Sequence, residues 1–221
     1  MEIIRTINLN KIYGEGNTAV HAINNVNLSV KEGEFVAVVG PSGGGKSTLL
    51  HLLGGLDNPS SGEVYIKGIN LYGMGHDQRA IFRRRNIGFV FLFFNLIPVL
   101  NVIENIELPL NLDNQDIDRD EIIELCKMLG LENRLHHYPN QLSGGEQQRV
   151  SIGRALVYKP SIILADEPTG NLDKKNSEEV LNLLKLFSKK YGITVVMITH
   201  DLSMAASADR IIRLEDGKID S

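Results

Sequence analysis

Short apolar runs rich in β-branched residues recur along the chain, separated by longer stretches of helical period. Continuous apolar runs of this length are typical of strands that are buried in an α/β core. The clearest of these runs are residues 35–39, 87–91, 161–165 and 193–199. The pattern therefore predicts an α/β fold built around a buried sheet.

Further strands are predicted near both ends of the chain. Residues 2–8 and 20–30 have strand character, and residues 63–66 form a shorter run of the same kind. Residues 210–219 predict a hairpin with an Asp-Gly turn.

Helical period dominates the middle of the chain. Residues 101–160 are predicted to be almost wholly helical, and a broken apolar run at 92–100 leads into them. An exposed apolar entrance of this kind suggests a surface for a partner. We predict one domain in two parts, a core with a β subdomain and an inserted helical subdomain: residues 1–91 with 161–221, and residues 92–160.

Two further helices are predicted outside this block. Residues 173–191 form a long amphipathic pattern, and residues 77–84 form a basic one followed by Arg85. A basic run of this kind suits either a solvated face or a docking patch, and a solvated face is the commoner use.

The chemistry of the chain centres on residues 40–48, Gly-Pro-Ser-Gly-Gly-Gly-Lys-Ser-Thr. Two glycines separated by four residues, followed by Lys and Ser and lying between a strand and a helix, form the P-loop pattern. Backbone N–H groups and the helix N-terminus would face phosphate oxygens. Lys46 would reach the β- and γ-phosphates, and the Ser47 hydroxyl would ligate Mg²⁺. A glycine-rich turn that merely links strand to helix does not account for the Lys-Ser pair.

Two adjacent carboxylates, Asp166 and Glu167, follow the strand at 161–165. Such carboxylates are costly unless they meet a cation, and open α/β sheets bind ligands at the carboxyl ends of their strands. We expect Asp166 to hold Mg²⁺ through water, and Glu167 to polarise an attacking water. His200 ends the strand at 193–199, where a functional role is favoured over a packing role.

A second phosphate cradle is predicted where Ser143-Gly-Gly-Glu146 opens a helix. Ser143 and Glu146 also fit a capping box, which is the simpler interpretation. A chain with one P-loop needs another cradle only if it is offered to a second subunit. Tyr13 poses a similar choice, because an aromatic ring at a strand end can stack on adenine or be an ordinary strand-end tyrosine.

Composition narrows the classes of function. The chain has 221 residues, enough for a substantial core, and a net charge of −4, which argues against general nucleic-acid binding. It contains no apolar run long enough to span a bilayer. The single cysteine, Cys126, lies in a helical apolar pattern and is predicted to be a core residue rather than a nucleophile.

Taken in order, these motifs resemble those of the ATP-binding subunits of ABC transporters, over essentially the whole chain. The matches are Walker A at 40–48, the signature motif at 142–146, Walker B at 162–167, the D-loop at 171–173, the H-loop histidine at His200 and the A-loop aromatic at Tyr13. Some stretches look more narrowly like the branch of lipoprotein release and macrolide export, which also includes antimicrobial-peptide exporters and a cell-division relative. These stretches are residues 88–91, 95–98, 104–109 and 166–173.

The resemblance implies a P-loop NTPase core with a mixed sheet, an antiparallel β subdomain and an inserted α-helical subdomain. It also implies a head-to-tail homodimer, in which the P-loop of one copy and the signature motif of the other enclose one ATP with Mg²⁺. Glu167, His200 and Lys46 take catalytic roles. The implied nucleotide-binding residues are Tyr13, Gly40, Pro41, Ser42, Gly43, Gly44, Gly45, Lys46, Ser47, Thr48, Ser143, Gly144, Gly145, Glu146 and Asp173.

One position departs from the family pattern. The family has a glutamine directly after the strand at 87–91, where it senses Mg²⁺ and the γ-phosphate, and this chain has Leu92. Leucine can neither ligate a cation nor form a side-chain hydrogen bond. The expected consequence is weaker coupling and slower hydrolysis, with nucleotide binding retained.

The implied function is an ATPase that drives a separate integral membrane permease from the cytoplasmic face of the membrane. The alternative is an ABC-type ATPase outside transport, acting in cell-division regulation, on DNA or on ribosomes. The DNA-repair relatives carry a very long coiled coil and the ribosome-acting ones carry two cassettes per chain. Neither feature occurs in this sequence, which favours the transport function, although the substrate stays open because its contacts belong to the permease.

Overall fold

The computed structural model describes the backbone of residues 1–219, and every side chain in that range except that of Asn17. Residues 220 and 221, assigned above to the core, lie outside the described residues. The strands are β1 (Glu2–Tyr13), β2 (Val20–Val26), β3 (Ser29–Lys31), β4 (Phe35–Val39), β5 (Ser61–Ile66), β6 (Ile69–Asn70), β7 (Ile87–Phe91), β8 (Ile162–Asp166), β9 (Thr194–Ile198), β10 (Arg210–Glu215) and β11 (Lys218–Ile219). The α-helices are α1 (Lys46–Leu53), α2 (His76–Asn86), α3 (Val102–Leu112), α4 (Arg119–Met128), α5 (Gly144–Leu156), α6 (Lys174–Tyr191) and α7 (Leu202–Ala205).

The first sheet is antiparallel and is organised around β1. Its order is β2-β1-β5-β6, and β3 pairs with β1 as well. The prediction of one strand over residues 20–30 is wrong, because β2 and β3 lie on different parts of β1. Between them the buried Thr6 hydroxyl donates to Val26 O at 3.0 Å and accepts from Leu28 N at 2.8 Å. The Thr6 side chain thus supplements the backbone bond from Thr6 N to Leu28 O, at 2.8 Å, where the strand breaks.

The second sheet has the order β11-β10-β4-β9-β8-β7 and is parallel except for β11. Alternate side chains of its central strands point to opposite faces. On β4, Phe35, Ala37 and Val39 join the cluster that includes α5 and α6, whereas Val36 and Val38 join the cluster that includes α1. Because both faces are buried, the strands read as continuous apolar runs, and the predicted mixed α/β fold is confirmed.

The helices α3, α4 and α5 follow one another between β7 and β8. The prediction that residues 101–160 are almost wholly helical is wrong, because residues 113–118 and 129–143 separate these α-helices, with one short 3₁₀ helix at Pro139–Gln141. Asn114 and Gly130 take left-handed conformations just beyond the ends of α3 and α4, with φ of 48° and 66°. Such residues end helices, and a new N-cap then has to start the next one.

The basic helix α2 is more than a solvated face. Arg84 and Arg85 bond the carboxylate of Asp113, at 2.9 and 2.6 Å, and Tyr158 donates to it at 2.8 Å. The Arg85 guanidinium and the Tyr158 hydroxyl hold the pKa of Asp113 below its usual value. This cluster joins α2 to the end of α3 and to the segment after α5.

Candidate active site

Three neighbouring parallel strands end at one edge of the second sheet and carry the predicted motifs there. The strand β9 lies between β4 and β8. The P-loop follows β4, Asp166 and Glu167 stand at the end of β8, and His200 follows β9. The sheet order, rather than the order along the chain, therefore assembles the site.

The P-loop curls around the amino group of Lys46. Its Nζ donates to Gly40 O at 3.0 Å and to Pro41 O at 2.7 Å, and the residue is 8% exposed. The helix α1 begins at Lys46 itself. The loop thus presents a fixed ammonium group and a helix N-terminus to the same space, which is what a bound phosphate group requires.

Ser47 and Asp166 meet although 119 positions separate them in sequence. The Ser47 hydroxyl donates to Asp166 Oδ1 at 3.1 Å. A hydroxyl and a carboxylate side by side are oxygen donors of the kind that Mg²⁺ prefers. The residues present therefore fit the predicted Mg²⁺ site.

Glu167 occupies a strained position next to His200. Its φ is 49°, in the left-handed region that a non-glycine residue adopts only when its surroundings hold it there. The N–H of Glu167 donates to Ile198 O at 3.1 Å, and His200 Nδ1 lies 2.9 Å from Glu167 Oε2. The side chain of Glu167 is 20% exposed, so its carboxylate is held by the fold and still reachable by water.

A cleft of about 550 Å³ opens beside the P-loop. Lys46, Ser47 and Thr48 line one part of it, and Tyr13 lines another. The structure therefore places the predicted base-stacking residue and the predicted phosphate-binding residues in one cavity.

The second predicted cradle lies elsewhere. Ser143 is exposed, and its side chain accepts from Glu146 N while Glu146 accepts from Ser143 N, which confirms the capping box. Among the residues that the structure describes, those lining the cleft include none of residues 143–146. Asp173 does not reach the cleft either, because its carboxylate caps α6 through Asn176, whose N–H and side-chain amide lower the pKa of Asp173.

The family model described as "ABC transporter" matches residues 23–170 of this chain. The chain belongs to the ABC transporter family. It is therefore an ATP-binding protein of the ABC ATPase type, with the fold and enzymatic class that the motifs predict.

Individual relatives and solved structures agree with this ABC assignment. An uncharacterised ABC transporter ATP-binding protein of Methanocaldococcus jannaschii is 51% identical over 98% of this chain and 97% of its own length. A lipoprotein-releasing system ATP-binding protein LolD of Psychrobacter arcticus is 45% identical over 97% and 96%. The dimeric, post-hydrolysis structure of the ATP-binding cassette MJ0796 with ADP and phosphate superposes with a TM-score of 0.90 at 47% identity, covering 99% and 97%.

Leu92 directly follows β7, at the position where the resemblance implies a glutamine. Its carbonyl accepts from Asn171 Nδ2 at 3.0 Å, and a Cβ added at Gly170 would stand 2.7 Å from Leu92 Cδ1. The loop after β7 is thus packed against the D-loop segment through backbone and apolar contacts. Gln148 also bridges the two, because its amide donates to Phe91 O at 3.3 Å and to Pro168 O at 2.6 Å.

Two residues that line the cleft were not predicted from the sequence as site residues. His21 on β2 and Asp216 in the final hairpin line the cleft with Tyr13. The hairpin reaches this point because Gly217 O accepts from Asn24 N at 2.8 Å and Gly217 N donates to Gly44 O at 3.3 Å. The only sequence signal for the hairpin was its Asp-Gly turn, and a turn signal says nothing of what the turn approaches.

Within the described residues, no helix is both long enough and apolar enough to cross a membrane.

Proposed function

We propose that this chain binds Mg-ATP in the cleft beside the P-loop, dimerises around it, and uses its hydrolysis to drive a separate membrane subunit. The observation that carries the proposal is the contact between Ser47 Oγ and Asp166 Oδ1 at 3.1 Å, which unites two motifs that only a nucleotide triphosphatase needs together. The ABC family membership supports the same activity.

Each part of ATP has residues suited to it. Lys46 and the backbone N–H groups of the P-loop bind the phosphates, and Tyr13 stacks on the adenine ring. Ser47 would hold Mg²⁺ directly, and Asp166 would hold it through water. When bound, Mg²⁺ supplies neutralisation of the charge on the phosphate oxygens.

Hydrolysis needs a water aimed at the γ-phosphate. Glu167 accepts the proton of that water, and the contact with His200 fixes the direction in which its carboxylate points. His200 is 71% exposed, so its ring can also reach a γ-phosphate oxygen. Lys46 stabilises charge that develops on the transferred phosphoryl group.

The exposed helix N-terminus at Ser143 supports the head-to-tail dimer. Ser143 and Gly144 start α5 on a surface outside their own cleft. A second copy can place this N-terminus against the γ-phosphate bound to the first, with Asp173 close to the same interface. We propose that residues 92–160 act as one mobile helical subdomain that brings this surface to the nucleotide.

A groove between α2 and α3 is the proposed docking site of the membrane subunit. It has a volume of about 340 Å³, and its floor contains the parallel rings of Phe89 and Phe91, whose centroids are 5.6 Å apart. Leu108 and Leu112 of α3 form an apolar wall. Movement of the helical subdomain would change this groove directly.

The charge of the groove indicates the chemistry of its occupant. Arg83 donates to Gly55 O at 2.9 Å, and Arg154 donates to Asn95 O at 2.6 Å and to Phe94 O at 2.9 Å. Within the described residues, neither guanidinium has a carboxylate partner. An apolar cytoplasmic segment of the permease that carries an acidic residue fits this surface.

The proposed class of transported substrate rests on the relatives of this chain and not on the geometry of the cleft. A lipoprotein-releasing ATP-binding subunit is 45% identical to this chain, so we propose export, or lipoprotein or peptide handling, at the cytoplasmic face of the membrane. If the chain acted outside transport, no membrane subunit would bind in this groove.

The decisive experiment is co-purification of the tagged full chain with the membrane protein encoded beside it. Leu112→Glu places a carboxylate on the groove wall at a residue that is 62% exposed, so the fold should survive. Leu186→Glu, at a site on α6 that is 49% exposed, is the matched control. We expect the wild type and the control to retain the partner, and Leu112→Glu to lose it with unchanged basal ATPase activity. Failure of the wild type to retain a membrane protein would exclude the transport role, and retention by Leu112→Glu would exclude the groove.

The proposal that the P-loop binds Mg-ATP has its own test. Lys46→Ala should abolish tight binding of Mg-ATP in a titration, because the ammonium group at the centre of the P-loop is lost. Lys67→Ala removes a lysine that bonds Ser161 Oγ at 2.6 Å outside the cleft, and should bind Mg-ATP normally. Equal affinity in both variants would rule out this use of the P-loop.

A further inference from the structure

Tyr13 does not stand free at the end of β1, although 42% of its surface is exposed. Its hydroxyl donates to Asp57 Oδ2 at 2.6 Å, and the Lys11 ammonium lies over its ring, 4.7 Å from the centroid. Lys11 Nζ in turn donates to Asp57 Oδ1 at 2.8 Å. Each of the three side chains contacts the other two. We call Lys11, Tyr13 and Asp57 the tyrosine clamp.

Two elements of the fold hold the tyrosine clamp in place. Lys11 and Tyr13 are two residues apart on β1 and so share one face of the strand. Asp57 lies in the turn after α1, where its Oδ1 also accepts from Asn58 N at 2.7 Å. Lys11 Nζ donates to Asn58 O at 2.7 Å, and its side chain is only 12% exposed. The ammonium is therefore fixed in place rather than free in solvent.

The protonation states suit these contacts. Partial burial, together with the hydrogen bond to Asp57, raises the pKa of Tyr13, so its hydroxyl keeps the proton that it donates. Partial burial alone would raise the pKa of Asp57, but the hydrogen bonds from Lys11 and Tyr13 outweigh it, and the pKa lies below its usual value. At neutral pH the clamp therefore joins one cation, one anion and one neutral phenol.

A ring has two faces, and the clamp uses one of them. Lys11 covers one face, while the exposed remainder of the ring lines the cleft with Thr48 and Val20. The hydrogen bond to Asp57 fixes the position of the hydroxyl end of the ring, and the Lys11 ammonium over the ring opposes rotation of the ring about its own axis. A ring fixed in this way loses little conformational freedom when a base stacks on it, and preorganisation of this kind raises affinity.

We propose that Lys11 and Asp57 are positioning residues for the nucleotide base, which hold the Tyr13 ring at one tilt with one face reserved for adenine. This inference rests on the proposed function, in which Tyr13 is the base platform. Lys11 and Asp57 act through Tyr13, and the phosphates are bound independently of them by the P-loop.

The test compares two ligands that share phosphates but differ in the base. Dissociation constants for Mg-ATP and for inorganic tripolyphosphate with Mg²⁺ are measured for the wild type, Lys11→Met, Asp57→Asn and Tyr13→Phe. We expect each variant to bind ATP about three- to tenfold more weakly and tripolyphosphate equally well. The KM for ATP should rise while kcat is unchanged, and Lys11→Arg should restore ATP affinity because it restores the cation over the ring.

Lys190→Met is the matched control. Lys190 Nζ lies 5.2 Å from the centroid of the Tyr191 ring, so this variant breaks a lysine–tyrosine pair outside the cleft. Lys190→Met should change neither the dissociation constant for Mg-ATP nor that for tripolyphosphate. If the clamp variants weakened ATP and tripolyphosphate alike, the clamp would serve the structure of the P-loop and the inference would be wrong.

The variant Tyr13→Ala distinguishes a failure of this inference from a failure of the proposed function. Selective loss of ATP affinity in Tyr13→Ala, with no loss in the Lys11 and Asp57 variants, would keep the base platform and overturn the clamp. An unchanged ratio of the two affinities in Tyr13→Ala would overturn the base platform and the clamp with it. Selective loss in all of these variants supports both.

Discussion

His200 and Glu167 form a direct side-chain pair, with His200 Nδ1 2.9 Å from Glu167 Oε2. The two residues follow neighbouring strands, and the backbone bond from Glu167 N to Ile198 O holds the ends of these strands together. The left-handed backbone of Glu167 turns its side chain toward His200 rather than along the strand. The carboxylate is thus oriented by its neighbour.

Replacement of Glu167 by Gln should separate binding from hydrolysis. Glutamine keeps the size and the contact with His200 but cannot accept a proton, so turnover should fall by about a hundredfold or more while ATP affinity is retained. The variant should accumulate as an ATP-bound dimer on a sizing column, because in the proposed mechanism hydrolysis reopens the dimer. Glu121→Gln on α4, where the carboxylate is 58% exposed, is the control and should hydrolyse ATP normally. A monomeric Glu167→Gln protein with normal turnover would assign the general base to another residue.

Replacement of Leu92 by Gln should raise the ATPase rate about tenfold, which corresponds to about 1.4 kcal/mol of positioning free energy. The glutamine amide can orient the attacking water and ligate Mg²⁺, whereas leucine can do neither. The backbone contact from Asn171 to Leu92 O does not depend on the side chain, so the loop should keep its place. ATP affinity should change little, because the other phosphate and Mg²⁺ contacts remain.

Leu92→Met is the control for the preceding variant, since it keeps an apolar side chain of similar volume and should not raise the rate. Steady-state kinetics of the three proteins side by side decides the matter. An equal or lower rate in Leu92→Gln would show that position 92 does not sense the nucleotide in this protein.

Two glycines of the P-loop offer a matched pair of substitutions. Gly43 and Gly45 both have positive φ, 79° and 94°. Alanine at either position costs about 1–2 kcal/mol of backbone strain. At Gly45 the added Cβ would also overlap the carbonyl of Ala22, whereas at Gly43 it would meet nothing within 4 Å. Gly45→Ala should therefore lower the free energy of unfolding by about 1–3 kcal/mol more than Gly43→Ala in denaturant titrations. Equal losses of unfolding free energy in the two variants would mean that β2 moves away from the added Cβ without a cost in free energy.

Cys126 should be almost inert in the folded protein. Burial, reinforced by the negative charge of Glu107, raises the pKa of its thiol to about 11. Because the thiolate is the reactive form, a raised pKa leaves less of it at pH 8, and labelling should be over about a hundredfold slower than for a free thiol. Unfolding in guanidinium should restore the ordinary rate. Since the chain has a single cysteine, a thiol-labelling reagent reports on Cys126 alone. Rapid labelling of the native protein would contradict the burial of Cys126.

The elements that were predicted well are those specified by residues close together in sequence. The strand, loop and helix around the P-loop depend on an apolar run, on glycines and on a helix start, all within residues 35–53. The capping box of Ser143 and Glu146 spans a single helical turn. The hairpin at the end of the chain likewise depends on an Asp-Gly turn between two short strands. Local sterics and local hydrogen bonds decide such features, so the pattern of residues is sufficient to predict them.

The features that were missed depend on contacts between distant segments. Residues 20–30 form two strands, and the hydroxyl of the distant Thr6 bonds to the backbone between them. The ion pairs of α2 were not predicted because Asp113 lies 28 positions beyond Arg85.

The sequence by itself determined which chemical groups this protein carries and which short elements present them, because motif spacing and turn chemistry act over a few residues. Only the tertiary structure decided which groups meet. The sheet order β4-β9-β8 brings Ser47 to Asp166, and the packing of the turn after α1 against β1 brings Asp57 to Tyr13, 44 positions away. Such pairs form because two sheets and their helices must bury their apolar faces together. No local pattern encodes which polar residues that burial will leave side by side.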